Sequence, residues 1–246
     1  MSALAYTLHG DGPLTVVLTH GLAAGQPIWA AQVAALAPHY RVLTWDLRGH
    51  GRSAPNPAPC AIPDLADDLR SVLDQAGIAR AVVLGHSAGG VVAMRFALDH
   101  PERTAGLVLV GTASECNERA RSFYEELAAI AEARGMAPVY RRLGVSQAQA
   151  AAAPTDAATF ARVARAMASL HAEPLTPRLE EIRCPAQMIV GEKDFLGAGG
   201  SVILNRRIAG SSLAIVPERG HGIFLEDPDG FNRLVLEFLA RQPAAA

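Results

Sequence analysis

The stretch Ala81–Phe96, AVVLGHSAGGVVAMRF, limits what this chain can fold into more than any other part of it. A strand-length apolar run meets Gly85-His86-Ser87-Ala88-Gly89 and passes without a spacer into an apolar helix. A turn that tight leaves no room for bulky side chains two residues before and two after the serine. Gly85 and Gly89 relieve the crowding while Ser87 stands exposed. A bare Gly-x-Ser-x-Gly arises often by chance, and the strand before it and helix after it make the signal specific.

The same rhythm runs through most of the sequence. Short runs rich in Val, Ile or Leu, at Thr15–Thr19, Val42–Trp45, Ala81–Leu84, Leu107–Val110, Gln187–Val190 and Leu213–Val216, read as buried parallel strands, with Ala5–Leu8 as an edge strand. Longer segments of helical period separate them, so the expected fold class is α/β, a mostly parallel central sheet flanked by helices. Pro63–Ala76 places Leu65, Leu69, Val72 and Leu73 on one stripe, and Phe231, Leu234, Val235, Phe238 and Leu239 repeat the pattern in a closing helix. The tail beyond Gln242 is expected to be loose. From about Ser114 to Arg183 the rhythm stops: the segment is Ala-rich, helical in character and without a convincing strand. It reads as a helical cap inserted into a single domain spanning residues 1–246. Its larger apolar residues are Phe123, Tyr124, Leu127, Met136, Tyr140, Leu143, Met167 and Leu170, of which about one in three is expected to face a substrate cavity and the rest to pack the cap.

Composition narrows the function classes. With 22 Lys and Arg against 24 Asp and Glu, the net charge of -2 offers nothing to nucleic acid or an anionic membrane, and a small molecule is the expected partner. The first residues, MSALAYTLHG, lack a basic leader and a long apolar run, so the sequence reads as a soluble cytoplasmic protein. A homo-oligomer is left open. Cys60, Cys116 and Cys184 are odd in number and widely spaced, which fits neither a disulfide framework nor a zinc site.

A serine hydroxyl is a weak nucleophile at neutral pH until an imidazole takes its proton and a carboxylate holds that imidazole in the useful tautomer. Asp194 follows the strand Gln187–Val190, and His221, flanked by two glycines, follows Leu213–Val216. Both positions fall at the carboxyl edge of the sheet, beside Ser87. Glu192 is the reserve acid. His20, His50 and His86 sit next to motifs as structural hydrogen-bonding residues, and His9, His39, His100 and His171 show no metal-ligand spacing. The backbone N–H of Ala88, at the start of the helix, is one donor for an oxyanion.

These residues carry a resemblance. His20-Gly21-Leu22, Asp46–Ser53 (DLRGHGRS), Gly85–Gly90, Gly191–Asp194 and Gly220-His221-Gly222 occur in the order found in the α/β-hydrolase superfamily, which the chain resembles over essentially its whole length. Compact cofactor-free members such as 3-oxoadipate enol-lactonases and small esterases look most similar. The resemblance implies the order Ser87, Asp194, His221 for nucleophile, acid and base, and places the second oxyanion donor at the N–H of Leu22. It also implies a structural role for Asp46 and Arg48. The expected reaction is hydrolysis of a small carboxylic ester or lactone through an acyl-enzyme on Ser87, with no cofactor. Candidate pocket residues are Trp29, Tyr124, Met167, Phe195 and Ile223. Two alternatives remain open. Carbon–carbon bond hydrolases of the meta-cleavage-product type usually carry Asn where this chain has His86, and ligand receptors are built on the same fold. Haloalkane dehalogenases and soluble epoxide hydrolases are disfavoured, because they use Asp where Ser87 stands.

Overall fold

The computed structural model describes residues 4–53 and 55–242, so the expectation for the tail beyond Gln242 lies outside the described residues. Its strands are β1 (Tyr6–His9), β2 (Thr15–Thr19), β3 (Arg41–Trp45), β4 (Ala81–His86), β5 (Thr104–Val110), β6 (Ala186–Gly191) and β7 (Ser212–Val216). They form one sheet in the order β1-β3-β2-β4-β5-β6-β7, parallel throughout except for β1, which pairs antiparallel with β3. From β2 the chain moves outward to β3 and then returns to the other side of β2 as β4. That reversal opens a crevice at the carboxyl ends of the central strands.

The strands in the middle read as unbroken apolar runs because helices cover both faces. Val17, Val83, Leu107, Leu109 and Met188 point to one side, where α2 (Ile62–Gln75) and α3 (Ala88–Asp99) pack with Leu65, Leu69, Val92 and Phe96. Their alternating neighbours Val16, Leu18, Val82, Leu84, Val108 and Ile189 face α1 (Ala30–Leu36) and the C-terminal helix, which bring Leu36, Phe231, Val235 and Phe238. The expected stripe of α2 is buried in full, and that of the C-terminal helix except for half-buried Leu234.

One strand departs from expectation. β7 was expected to be buried, yet Ile215 is 46 % exposed, because β7 is the last strand and has only β6 beside it.

Between β5 and β6 the chain forms α4 (Glu118–Arg134), α5 (Met136–Leu143), α6 (Gln147–Ala152) and α7 (Ala157–Ala168), with two short 3-10 turns and no strand among the described residues. Leu127, Ala128, Ala131, Val139, Phe160, Ala161 and Ala164 give this insert its own small core. Val163, Ala166 and Met167, on the other side of α7, pack into the main one. The three cysteines are free, and burial raises the Cys60 and Cys184 thiols to about 11.

The loop after β3 is held from inside. Asp46 accepts the Gln26 N–H through Oδ1 (2.8 Å), and the Gln26 amide (2.7 Å) and Arg52 N–H (3.0 Å) through Oδ2. Arg48 makes a two-pronged bond to Asp68 at 2.6 and 2.9 Å. His50 donates from Nδ1 to the Arg48 carbonyl (2.9 Å), and burial lowers its pKa from 6.5 to about 3. The unfolded chain therefore binds a proton at His50 that the folded chain refuses, and stability falls as pH drops below about 6.5 toward the folded value. His50→Asn keeps a donor for the Arg48 carbonyl without the titration. Urea midpoints measured across this range are expected to fall less steeply in the variant than in the parent. Equal slopes would mean that His50 protonates as readily in the fold as outside it.

Candidate active site

A single residue turns β4 into α3. His86 ends the strand, Ala88 begins the helix, and Ser87 between them adopts φ 54, ψ -121, a backbone conformation that residues with a side chain rarely occupy. Its N–H donates to the Val110 carbonyl at the end of β5 (2.9 Å), while its own carbonyl accepts from the Thr112 hydroxyl (2.8 Å) and the Gly90 N–H (2.9 Å). The glycines are required by backbone, not by side chains. A Cβ at Gly85 would lie 2.2 Å from the Gly89 oxygen, and one at Gly89 would lie 2.3 Å from the Thr19 oxygen.

His221 lies in the loop between β7 and α8 (Ile223–Glu226), and Asp194 in the turn after β6. His221 Nδ1 is 2.9 Å from Asp194 Oδ2. Since a carboxylate can only accept, the proton is on Nδ1 and the neutral ring presents a lone pair at Nε2. Asp194 is almost wholly buried, and its other oxygen accepts the Leu196 N–H at 2.9 Å. Space for the pair depends on Gly111, at φ +51, where a Cβ would approach Asp194 Oδ2 to 2.9 Å and His221 Nδ1 to 3.1 Å. Glu192 is exposed and accepts the Glu218 N–H instead (3.1 Å), so it makes no bond to His221.

The loop after β2 runs against the serine: a Cβ on Gly21 would come within 3.0 Å of Ser87 Cβ. His20 shapes that loop, donating from Nδ1 to the Gly21 carbonyl (2.7 Å) and accepting the Leu47 N–H at Nε2 (3.0 Å), while burial lowers its pKa and keeps it neutral. Leu22 borders the cavity described next, and Ala88 is the first residue of α3, where a helix leaves N–H groups without partners inside the helix.

Ser87 and His221 line one cavity of about 1110 Å³. Tyr124 and Phe195 are on its wall, and so are Phe123, Leu127 and Leu143. Burial pushes the Tyr124 phenol up to about 12, so it stays protonated. Phe195 is 64 % exposed, with its ring centroid 4.6 Å from that of His221. Three expectations are corrected. Trp29 is fully buried against Phe224, ring centroids 4.5 Å apart; Ile223 points into the same core; and Met167 lies on the side of α7 that faces the main body. Sequence reasoning missed Leu196, Phe224 and Leu225, of which Leu196 and Leu225 are 39 % and 47 % exposed. Apolar residues directly after Asp194 and His221 were the available signal. The loop Asp46–Ser53 contributes nothing to the cavity wall. Among the described residues no cluster of His, Cys, Asp or Glu is disposed to hold a metal, and no helix is long and apolar enough to cross a membrane.

A doubly covered parallel sheet, with a serine on a one-residue strand-to-helix turn and a His–Asp pair at the same edge, defines an α/β protein of the hydrolase class. The alpha/beta hydrolase family model matches residues 16–234. A putative carbamate hydrolase, RutD, of Caulobacter sp. (strain K31) is 31% identical, covering 99% of this chain and 98% of its own. The enol-lactonase from Burkholderia xenovorans LB400 superposes with a TM-score of 0.86 at 28% identity, covering 97% of this chain and 96% of that one. A thermophilic esterase from Thermogutta terrifontis gives 0.88 at 26% identity, with 97% and 93% covered. The chain belongs to the alpha/beta hydrolase family.

Gly85→Ala tests how far the turn can yield. Because the opposing atom is the Gly89 backbone oxygen, no rotamer change relieves the contact. Overpacking of this kind costs about 1–3 kcal/mol, seen as a lower denaturation midpoint, and reactivity at Ser87 is expected to fall with it. A variant with the parent's midpoint and full labelling by a fluorophosphonate would show that the turn tolerates a Cβ there.

Proposed function

We propose that this hydrolase cleaves small carboxylic esters or lactones through an acyl-enzyme on Ser87. The observation that carries the reading is the buried Asp194 bonded at 2.9 Å to His221, which shares one cavity wall with the strained Ser87 turn. In this reading His221 Nε2 takes the Ser87 proton as Oγ attacks the substrate carbonyl, and returns it to the departing alkoxide. A water then gives its proton to Nε2 as it attacks the acyl carbon, and the carboxylate product leaves with Ser87 regenerated. Asp194 keeps the Nδ1–H tautomer and stabilises the imidazolium that forms. The N–H groups of Leu22 and Ala88 serve the oxyanion. The insert spanning about 114–183 acts as a cap whose Phe123, Tyr124 and Leu127 give the acyl group an apolar wall. The enol-lactonase and esterase likenesses support ester or lactone substrates. The RutD relative's name, putative carbamate hydrolase, favours a second reading with a carbamate carbonyl at the same site.

A panel of p-nitrophenyl esters, lactones and carbamates tests both readings, and turnover of none of these would sink them. Ser87→Ala is expected to lose turnover and fluorophosphonate labelling while melting near the parent, because the hydroxyl fills little of the core. Asp194→Asn, almost isosteric, is expected to lower kcat by about two to four orders of magnitude. The losses will not add: once Ser87 is gone, removing His221 should change little further. Parent-like kcat in Asp194→Asn, with a loss in Glu192→Gln, would reassign the acid.

Tyr124→Ala probes the wall. Each lost methylene-sized contact is worth about 0.8 kcal/mol, so selectivity between long and short acyl chains should shift several-fold, with the acetate rate affected less. Identical chain-length profiles in variant and parent would take Tyr124 out of acyl recognition.

A further inference from the structure

The loop that carries His221 leaves β7, the exposed edge strand with a single neighbour, and runs to α8 without regular structure, touching the sheet where Gly191 ends β6 against the Arg219 and Gly220 carbonyls. Three consecutive residues of the loop are also held by hydrogen bonds from outside it. The Lys193 N–H donates to the Arg219 carbonyl (2.8 Å), the Gly220 N–H donates to Glu226 Oε2 (2.7 Å), and His86 Nε2 lies 3.0 Å from the His221 carbonyl oxygen. A carbonyl only accepts, so His86 is the donor and its ring is the Nε2–H tautomer. Of the three bonds, only this one reaches the strand that leads into Ser87.

Resting on the reading of Ser87 and His221 as nucleophile and base, we propose that His86 is a positioning residue whose Nε2–H ties the main chain of the base to the last residue before the nucleophile. The ring is clamped for this purpose, with its centroid 4.6 Å from the His221 ring and 4.8 Å from Phe224, which in turn stacks on buried Trp29. Burial holds the His86 pKa well below 6.5, so no second cation stands beside His221 when it takes up the serine proton. Its Nδ1 is buried without a partner, facing Gly21, where a Cβ would sit 3.2 Å away. An aliphatic side chain would fill the same space with no acceptor left unsatisfied. A histidine held there at that expense points to a use for its other nitrogen.

The test compares His86→Leu, which keeps apolar volume but has no donor, with His86→Gln, whose amide reaches the position of Nε2. Two quantities are read: steady-state kinetics on p-nitrophenyl butyrate, and the downfield proton resonance of the His221 Nδ1–H shared with Asp194. His86→Leu is expected to lose about 10- to 100-fold in kcat, as small misplacements of reacting groups do, with KM within about threefold. The resonance should broaden or vanish. His86→Gln should recover both. If His86→Leu melts too low to assay, His86→Met takes its place. Parent-like kcat and resonance in the donorless variant would overturn the proposal, as would a His86→Gln variant that melts with the parent but is as slow as His86→Leu. The resonance requires no substrate. If it follows the expected order while the parent cleaves no ester, the ester reading fails and the positioning role stands.

Discussion

Ser87 is held in a backbone conformation that serine alone would not choose, at a cost of about 1–3 kcal/mol, and the rest of the site is arranged around keeping it there. β4 lies between β2 and β5 and is buried along its whole length, so the turn cannot relax without breaking strand pairing on both sides. The Val110 carbonyl, the Thr112 hydroxyl and the Gly90 N–H fix both polar groups of the Ser87 backbone. Close backbone contact at Gly85 and Gly89 leaves no slack in which the turn could open. A strained residue survives where its surroundings determine it several times over, and an interior strand supplies those surroundings.

Burial also sorts the histidines. His20, His50 and His86 are enclosed and held neutral, each with one ring nitrogen donating to a backbone carbonyl. Two of them act as rigid connectors: His20 joins the loop beside Ser87 to the one after β3, and His86 joins β4 to the loop of His221. His221 differs in having its Nδ1–H on a buried carboxylate and a face on the cavity. In the loop Asp46–Ser53 two charges are likewise turned inward, with Asp46 collecting three N–H donors and Arg48 locked on Asp68, so both hold loops together.

The cavity wall is assembled from parts distant in sequence. α4 provides Phe123, Tyr124 and Leu127, the end of α5 provides Leu143, the turn after β6 provides Phe195 and Leu196, and the short helix α8 after His221 provides Leu225. Three of the large apolar side chains left exposed on the molecule are therefore at this mouth, where a substrate's apolar portion would cover them. The insert's own small core allows this wall to keep its shape while α7 fastens it to the main body through Met167.

The sequence by itself determined what depends on near neighbours. Strand-length apolar runs, the stripe of α2 and the glycine-relieved turn at Ser87 are all set by sterics and periodicity within a few residues. What depends on distant neighbours was decided only by the tertiary structure. Leu213–Val216 reads like any buried strand, and only the absence of a further strand beside it makes it an edge. Met167 and Tyr124 are both apolar residues of the insert, yet α7 is packed on two sides and hides Met167, whereas α4 shows Tyr124 to the cavity. Asp194 and Glu192 are two residues apart, and the backbone turn after β6 sends one carboxylate to His221 and the other to solvent. His86 reads as a bystander to Ser87 until the fold brings the His221 carbonyl, 135 positions further along the chain, within 3.0 Å of its ring. A local pattern can specify which face of an element is apolar, but what that face meets is settled by the packing of segments that the pattern does not contain.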